Sequence, residues 1–203
     1  MLLNNLSDPV YLISLLTIFV CSIALHEFGH AKVADMLGDP TPRQAGRVTL
    51  NPVSHLDLFG TLMLFFAGFG WAKPVPVSPH NFKKPRFGNV LVSVAGPMMN
   101  LLLALAALWA LKYAPGLNQG AADWLQIAFS LNTILFFFNL LPIPPLDGGH
   151  ILEALMPRRW LPTFQHMMPY GVVLLLVMVF LPGPWSPLGW MMRTVQGAMY
   201  QLL

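Results

Sequence analysis

The feature that most constrains this chain is a long run without charge. Residues 88–111 contain no charged side chain and are mostly apolar. A helix needs about 20 such residues to cross the hydrocarbon core of a bilayer. Further apolar runs cover residues 10–37, 124–141 and 167–181. The whole chain is 56% hydrophobic and 9% charged, whereas soluble domains carry about 25% charged residues. The sequence therefore predicts an all-α, polytopic membrane protein.

A shorter apolar run at residues 58–71 is rich in glycine. Its length suits a re-entrant or tilted segment better than a full span, which brings the expected total to about five transmembrane or re-entrant helical segments. The 19 prolines cluster between the apolar runs, and only Pro97 is expected well inside a span, because proline breaks helices. Residues 47–50 and 75–78 are β-biased and predict short strands in the connections on the cytoplasmic side.

The distribution of positive charge predicts the orientation in the membrane. If residues 58–71 re-enter, only Lys112 and Arg193 lie on one side. The other side then carries nine basic residues: Lys32, Arg43, Arg47, Lys73, Lys83, Lys84, Arg86, Arg158 and Arg159. We therefore expect the basic loops in the cytoplasm. The net charge of +3 is too small for a nucleic-acid surface, so the bilayer is an expected partner and nucleic acid is not.

The sharpest chemical signal is the sequence HEFGH at residues 26–30. Two histidines four residues apart project from one face of a helix, so His26 and His30 are candidate ligands of one Zn²⁺ ion. Glu27 lies beside them as the candidate catalytic base that takes a proton from water. A chance match is the alternative reading. Ionisable groups inside a membrane helix are costly, however, and usually functional.

Catalytic zinc takes three protein ligands and leaves one position for water. The third ligand is expected to be Asp147, in the sequence NLLPIPPLDGG at residues 139–149. For Asp147 to reach the histidines, residues 142–145 must stay extended within the protein, because irregular backbone at that depth is tolerated only where it lines a cavity. His150 is the competing third ligand, and Glu153 is expected to be a solvated loop charge.

Two asparagines lie in the predicted spans near these motifs. Asn100, in the sequence GPMMN at residues 96–100, is expected either to hold helices together or to stabilise charge on a scissile carbonyl. Gly96 is expected to permit close helix packing. Asn139 is expected either to orient Asp147 or to contact substrate.

At these three motifs the sequence resembles the site-2 protease family of intramembrane zinc metalloproteases. The segments RVTLNP at residues 47–52 and WAKPVPV at residues 71–77 also resemble that family's connections. The resemblance implies that His26, His30 and Asp147 bind one Zn²⁺, and that Glu27 is the base. It also implies that Asn100 and Asn139 serve substrate binding or transition-state stabilisation.

The resemblance further implies cleavage of transmembrane segments of other membrane proteins. We expect a multi-pass protein of a bacterial or archaeal cell membrane, with its active site toward the cytoplasm. Residues 1–203 are expected to form one metalloprotease domain, with the motifs in residues 10–155 and further helices in residues 156–203. Many members carry a PDZ or CBS domain, and we expect a minimal form without either, because the apolar runs leave no long soluble stretch. The alternatives are a metal-ion transporter and an inactive scaffold that binds membrane helices.

Overall fold

A computed structural model describes residues 8–60, 63, 71–180, 189, 193, 194 and 197. Its longer elements are helices: α1 (Pro9–Met36), α2 (Thr41–Gln44), α3 (Pro85–Tyr113), α4 (Gln119–Asn139), α5 (Asp147–Leu155) and α6 (Leu161–Phe180). Single 3₁₀ turns lie at Pro52–Ser54, Pro79–Asn81 and Arg158–Trp160. The chain divides into two compact units, residues 1–100 and residues 101–203.

Within the part of the chain that the structure describes, four helices are long and apolar enough to cross a membrane: Pro9–Met36, Pro85–Tyr113, Gln119–Asn139 and Arg158–Met178. They confirm the prediction of an all-helical membrane protein. Much of α6 presents aliphatic side chains at its surface, among them Val172, Val173, Leu174 and Val177, which suits contact with lipid. Most of residues 58–71 and of the tail at 185–203 lies outside the described residues, so the total number of membrane segments stays a prediction.

Helix α1 begins at a strong start signal. The Asp8 side chain accepts a hydrogen bond from the Val10 N–H at 2.9 Å, and Pro9 occupies the first turn, where its missing N–H costs nothing. The buried face of the helix follows a four-residue spacing. The residues at this spacing are Ser14, Ile18, Ser22, His26, His30 and Ala34, and the small residues Ala24, Gly29 and Ala31 are buried beside them. The two histidines therefore lie on the face that α1 turns into the protein.

The two ends of the short apolar run lie side by side. Leu56 and Ala72 form an isolated antiparallel bridge, and the Lys73 N–H donates to the His55 carbonyl at 2.9 Å. Pairing at the two ends is what a segment that leaves and returns on the same side requires. Re-entry of the run itself stays a prediction.

The strands expected at residues 47–50 and 75–78 are not confirmed. Both stretches are described, and neither forms a strand. Pro74 and Pro76 lack the N–H groups that a strand ladder needs. The carbonyl of Pro74 is also taken by the Arg47 side chain, whose Nη2 lies 2.9 Å away. Side-chain hydrogen bonds thus replace the ladder that the β-biased composition predicted.

Asp39 fastens the connection that follows α1. This buried carboxylate accepts hydrogen bonds from the Thr41 hydroxyl at 2.6 Å, the Ser78 N–H at 2.7 Å and the Asn81 amide at 2.7 Å. Burial by itself would raise the pKa of Asp39, but these hydrogen bonds outweigh it and hold the pKa below its ordinary value. Asp39 therefore ties the end of α1 to the segment that precedes α3.

The second unit begins within α3 and contains α4, α5 and α6. A small apolar cluster of Ala104, Ala107 and Phe129 packs α3 against α4. Pro97 lies inside α3 as predicted, but Pro169 also lies inside α6, although it was expected in a connection. The reason is that α6 begins at Leu161, earlier than the apolar run suggested, and carries the helix past the proline.

Candidate metal centre

His26 and His30 form the centre of the candidate site. Each is 8% exposed, and their Nε2 atoms are 3.0 Å apart. The rings stand nearly perpendicular, at 82°. The i, i+4 spacing predicted from the sequence thus brings two ring nitrogens to one point on the buried face of α1.

The opposite nitrogen of each ring faces an oxygen of α3. His30 Nδ1 lies 2.7 Å from the Val92 carbonyl oxygen, and His26 Nδ1 lies 2.6 Å from Asn100 Oδ1. A carbonyl oxygen accepts hydrogen bonds and does not donate them, so each Nδ1 carries the proton. In a neutral imidazole the lone pair is then on Nε2.

This arrangement fits a metal ion. Two Nε2 lone pairs that converge at 3.0 Å repel each other unless a cation lies against both. Imidazole nitrogens bind zinc at about 2.0–2.1 Å, and a tetrahedral ion would hold two of them about 3.3 Å apart. The rings are therefore already in the tautomer, and close to the spacing, that zinc requires.

Gly96 leaves the space that the two rings occupy. A Cβ atom built on Gly96 would collide with His30 Nε2 and would lie 2.6 Å from His26 Nε2. The rings cannot move aside cheaply, because each is held at its Nδ1. The sequence analysis expected Gly96 to allow close helix packing. The structure shows more specifically that it makes room for the two imidazoles.

Glu27 follows His26 on α1 and is half-buried. Arg47 is only 3% exposed, and its guanidinium donates to three main-chain carbonyls, those of Ser54, Lys73 and Pro74. Burial lowers the pKa of Arg47, and the negative charge of Glu27 works against that shift. Arg47 is therefore a buried side chain close enough to Glu27 for the carboxylate to raise its pKa. The sequence analysis placed Arg47 at the start of a connection that resembles the family's, but it assigned Arg47 no role at the site.

Asp147 is the first residue of α5 in the second unit. Residues 142–145 are non-helical as predicted, but they fold into tight turns and are not extended. The Ile143 N–H donates to the Leu141 carbonyl at 2.7 Å, and the Leu146 N–H donates to the Ile143 carbonyl at 2.9 Å. The turn packs so closely that a Cβ on Gly149 would lie 2.7 Å from the Pro144 nitrogen. The glycines after Asp147 thus permit the turn that precedes it.

The remaining candidates divide between the two units. His26 and His30 lie in the first unit, and Asp147 lies in the second. Asn100 contacts the first unit's histidine pair through His26. Asn139 is the last residue of α4, and its amide donates to the Leu135 carbonyl at 3.0 Å. The roles assigned to these residues from the sequence stay predictions.

Comparison with known proteins identifies the family. The model of peptidase family M50 matches residues 14–118 and 112–180. The chain is 43% identical over 187 residues to YwhC of Bacillus subtilis (strain 168), which is named as a candidate zinc metalloprotease, and the match covers 86% of this chain and 84% of YwhC. It is 36% identical over 172 residues to Rip2 of Mycobacterium tuberculosis (strain ATCC 25618 / H37Rv), which has the same designation.

The match to Rip2 covers 81% of this chain and 65% of Rip2, so the chain spans just under two thirds of that relative. No solved structure matches the chain. The metal named for these relatives is zinc, and the histidine pair described above suits it in donor type and tautomer. The chain thus belongs to peptidase family M50, the site-2 protease family of membrane-bound zinc metalloproteases.

Proposed function

We propose that this protein hydrolyses peptide bonds within or beside transmembrane segments of other membrane proteins. One Zn²⁺ per chain is held by His26, His30 and Asp147, and residues 1–203 act as a single membrane-embedded protease domain. The observation that carries the proposal is the pair of Nε2 atoms 3.0 Å apart on the buried face of a helix long enough to span the bilayer. Metal ligands placed there serve chemistry inside the membrane.

Zinc supplies Lewis-acid chemistry when bound, polarising the scissile carbonyl and lowering the pKa of water. Glu27 is the general base: its carboxylate takes the proton of the attacking water and delivers it to the leaving amine. The hydrogen bonds from Nδ1 of His26 and of His30 to α3 hold both rings in place, so the site needs little reorganisation during the reaction. The guanidinium of Arg47 provides a positive charge near Glu27.

The substrate must expose a peptide bond, because a transmembrane helix hides its carbonyls in its own hydrogen bonds. Local unwinding at the site is therefore part of the proposal. Asn139 is the candidate for contact with the unwound segment, since it lies at the end of α4, is half-buried and offers a side-chain amide.

The site is proposed to face the cytoplasm of a bacterial or archaeal cell. The excess of basic residues on one side supports this orientation. The side-by-side ends of the short apolar run also support it, because the charge asymmetry depends on that run not crossing. The pairing of Leu56 with Ala72 brings its ends together.

The proposal is tested by reconstituting the purified protein in liposomes with a single-span reporter. We expect cleavage inside or next to the reporter's apolar segment, loss of cleavage when a chelator removes the metal, and recovery when Zn²⁺ is returned. Cleavage that persists in the chelated protein would contradict the proposal. Zinc entry into the liposomes without cleavage would instead favour a transporter, and reporter binding without cleavage in the zinc-loaded protein would favour a scaffold.

A further inference from the structure

Asn100, in helix α3, contacts a candidate zinc ligand of α1. It has no exposed surface, and its Oδ1 lies 2.6 Å from His26 Nδ1. Its amide oxygen can only accept, so the ring nitrogen donates. The contact therefore selects the His26 tautomer that has its lone pair on Nε2.

A regular stripe along α3 contains this contact. Val92, Gly96 and Asn100 are spaced by four residues and share one face of the helix. The Val92 carbonyl holds His30, Gly96 leaves space for both rings, and Asn100 holds His26. One helix face thus supplies an oxygen acceptor for each histidine, with a gap between the two acceptors.

We propose that Asn100 is a positioning residue for the zinc ligand His26, and that it does not contact the substrate. This inference rests on the proposed function, because it assumes that His26 binds zinc. The outer hydrogen bond of a ligating histidine fixes its ring orientation and raises the basicity of the nitrogen that binds the metal. Asn100 provides that bond from its side chain, whereas His30 receives it from the main chain.

The burial of Asn100 argues against a direct role in the transition state. Stabilising a developing oxyanion requires an N–H donor that reaches the scissile carbonyl. A side chain with no exposed surface cannot meet a substrate carbonyl unless the surrounding helices rearrange. Its acceptor oxygen, by contrast, already lies against a zinc ligand.

The two roles depend on different atoms of Asn100, so two substitutions separate them. Asn100→Asp keeps an oxygen acceptor for His26 but removes the N–H donors. Asn100→Leu removes both. Thr133→Val serves as the matched control, because Thr133 is a buried polar residue of α4 whose hydroxyl donates to the Phe129 carbonyl at 2.7 Å. Zinc affinity is measured by chelator competition, together with thermal unfolding of each metal-free protein.

We expect Asn100→Leu to weaken zinc binding by about 10–100-fold, as is usual for loss of a histidine's outer partner. Asn100→Asp and Thr133→Val should bind zinc within a few-fold of the wild type. Wild-type affinity in Asn100→Leu would overturn the inference. The inference would also be overturned if Asn100→Asp lost as much zinc affinity as Asn100→Leu while the metal-free proteins unfolded at the same temperature. If Asn100→Leu does not fold, Asn100→Asp decides by zinc affinity and kcat together. Near wild-type affinity with wild-type kcat supports the inference. A loss of affinity beyond about 10-fold, or wild-type affinity with a lowered kcat, overturns it.

The same measurement separates this inference from the proposed function. A wild-type protein that binds no zinc overturns the proposed function. A wild type that binds zinc and cleaves the reporter, combined with undiminished zinc affinity in Asn100→Leu, overturns only the role of Asn100. If Asn100 instead stabilised an oxyanion, Asn100→Leu would keep its zinc affinity and Asn100→Asp would have a lower kcat.

Discussion

Replacing Asp147 by alanine is expected to weaken zinc binding by more than about 100-fold. Loss of a direct ligand should exceed the 10–100-fold cost of losing a histidine's outer partner, and two neutral imidazoles alone leave the charge of Zn²⁺ uncompensated. Reporter cleavage should disappear at zinc concentrations that saturate the wild type. The measurement is zinc affinity by chelator competition, with cleavage followed on the same preparations.

His150→Ala is the matched control for Asp147→Ala. His150 lies three residues further along α5, is half-buried, and was the competing third ligand in the sequence. We expect His150→Ala to retain zinc within a few-fold. The opposite result, with zinc lost from His150→Ala and kept by Asp147→Ala, would show that the third ligand was assigned to the wrong residue.

Gly96→Ala is expected to weaken zinc binding by about 100-fold, comparable to the loss of a strong outer partner. The added methyl group would occupy the space of the imidazoles, since its carbon would collide with His30 Nε2 and lie 2.6 Å from His26 Nε2. Both rings would have to turn away from their hydrogen bonds to α3. Zinc affinity should therefore fall even though no ligand has been removed.

The control for this prediction is Gly120→Ala. Gly120 is also in a helix, but a Cβ built there would have its nearest neighbour, Asn118 Oδ1, at 3.6 Å. We expect Gly120→Ala to bind zinc and cleave the reporter as the wild type does. If Gly96→Ala bound zinc as tightly as the wild type, the rings of His26 and His30 could make room for a methyl group, and the prediction would be wrong.

The helices and the histidine pair could be predicted because they follow from short-range chemistry. An apolar run of sufficient length determines a membrane helix, and a four-residue spacing determines that His26 and His30 share a face. The start of α1 is equally local, since Asp8 and Pro9 form a standard helix beginning.

Features that depend on contacts between distant segments could not be predicted in this way. The β-biased stretches form no strands: Pro76 lacks the N–H that a ladder needs, and Arg47 binds the carbonyls of Lys73 and Pro74 just before the second stretch. The sequence predicted that Asn100 lies in a span near the metal-binding motifs and that Gly96 allows close helix packing, but it could not show which atom of α3 faces which ring nitrogen. Residues 142–145 were correctly expected to be non-helical but wrongly expected to be extended. Their tight turns pack against α6, where a Cβ on Gly171 would collide with the Pro144 carbonyl.

The central claim is that Glu27 performs proton transfer at a zinc site inside the membrane. It is tested most directly by Glu27→Gln, which keeps the size of the side chain but removes its basicity. We predict one bound Zn²⁺ per chain in both proteins, with reporter cleavage lowered by about 10²–10⁴-fold in the variant. Full cleavage by the zinc-loaded Glu27→Gln protein would contradict the account.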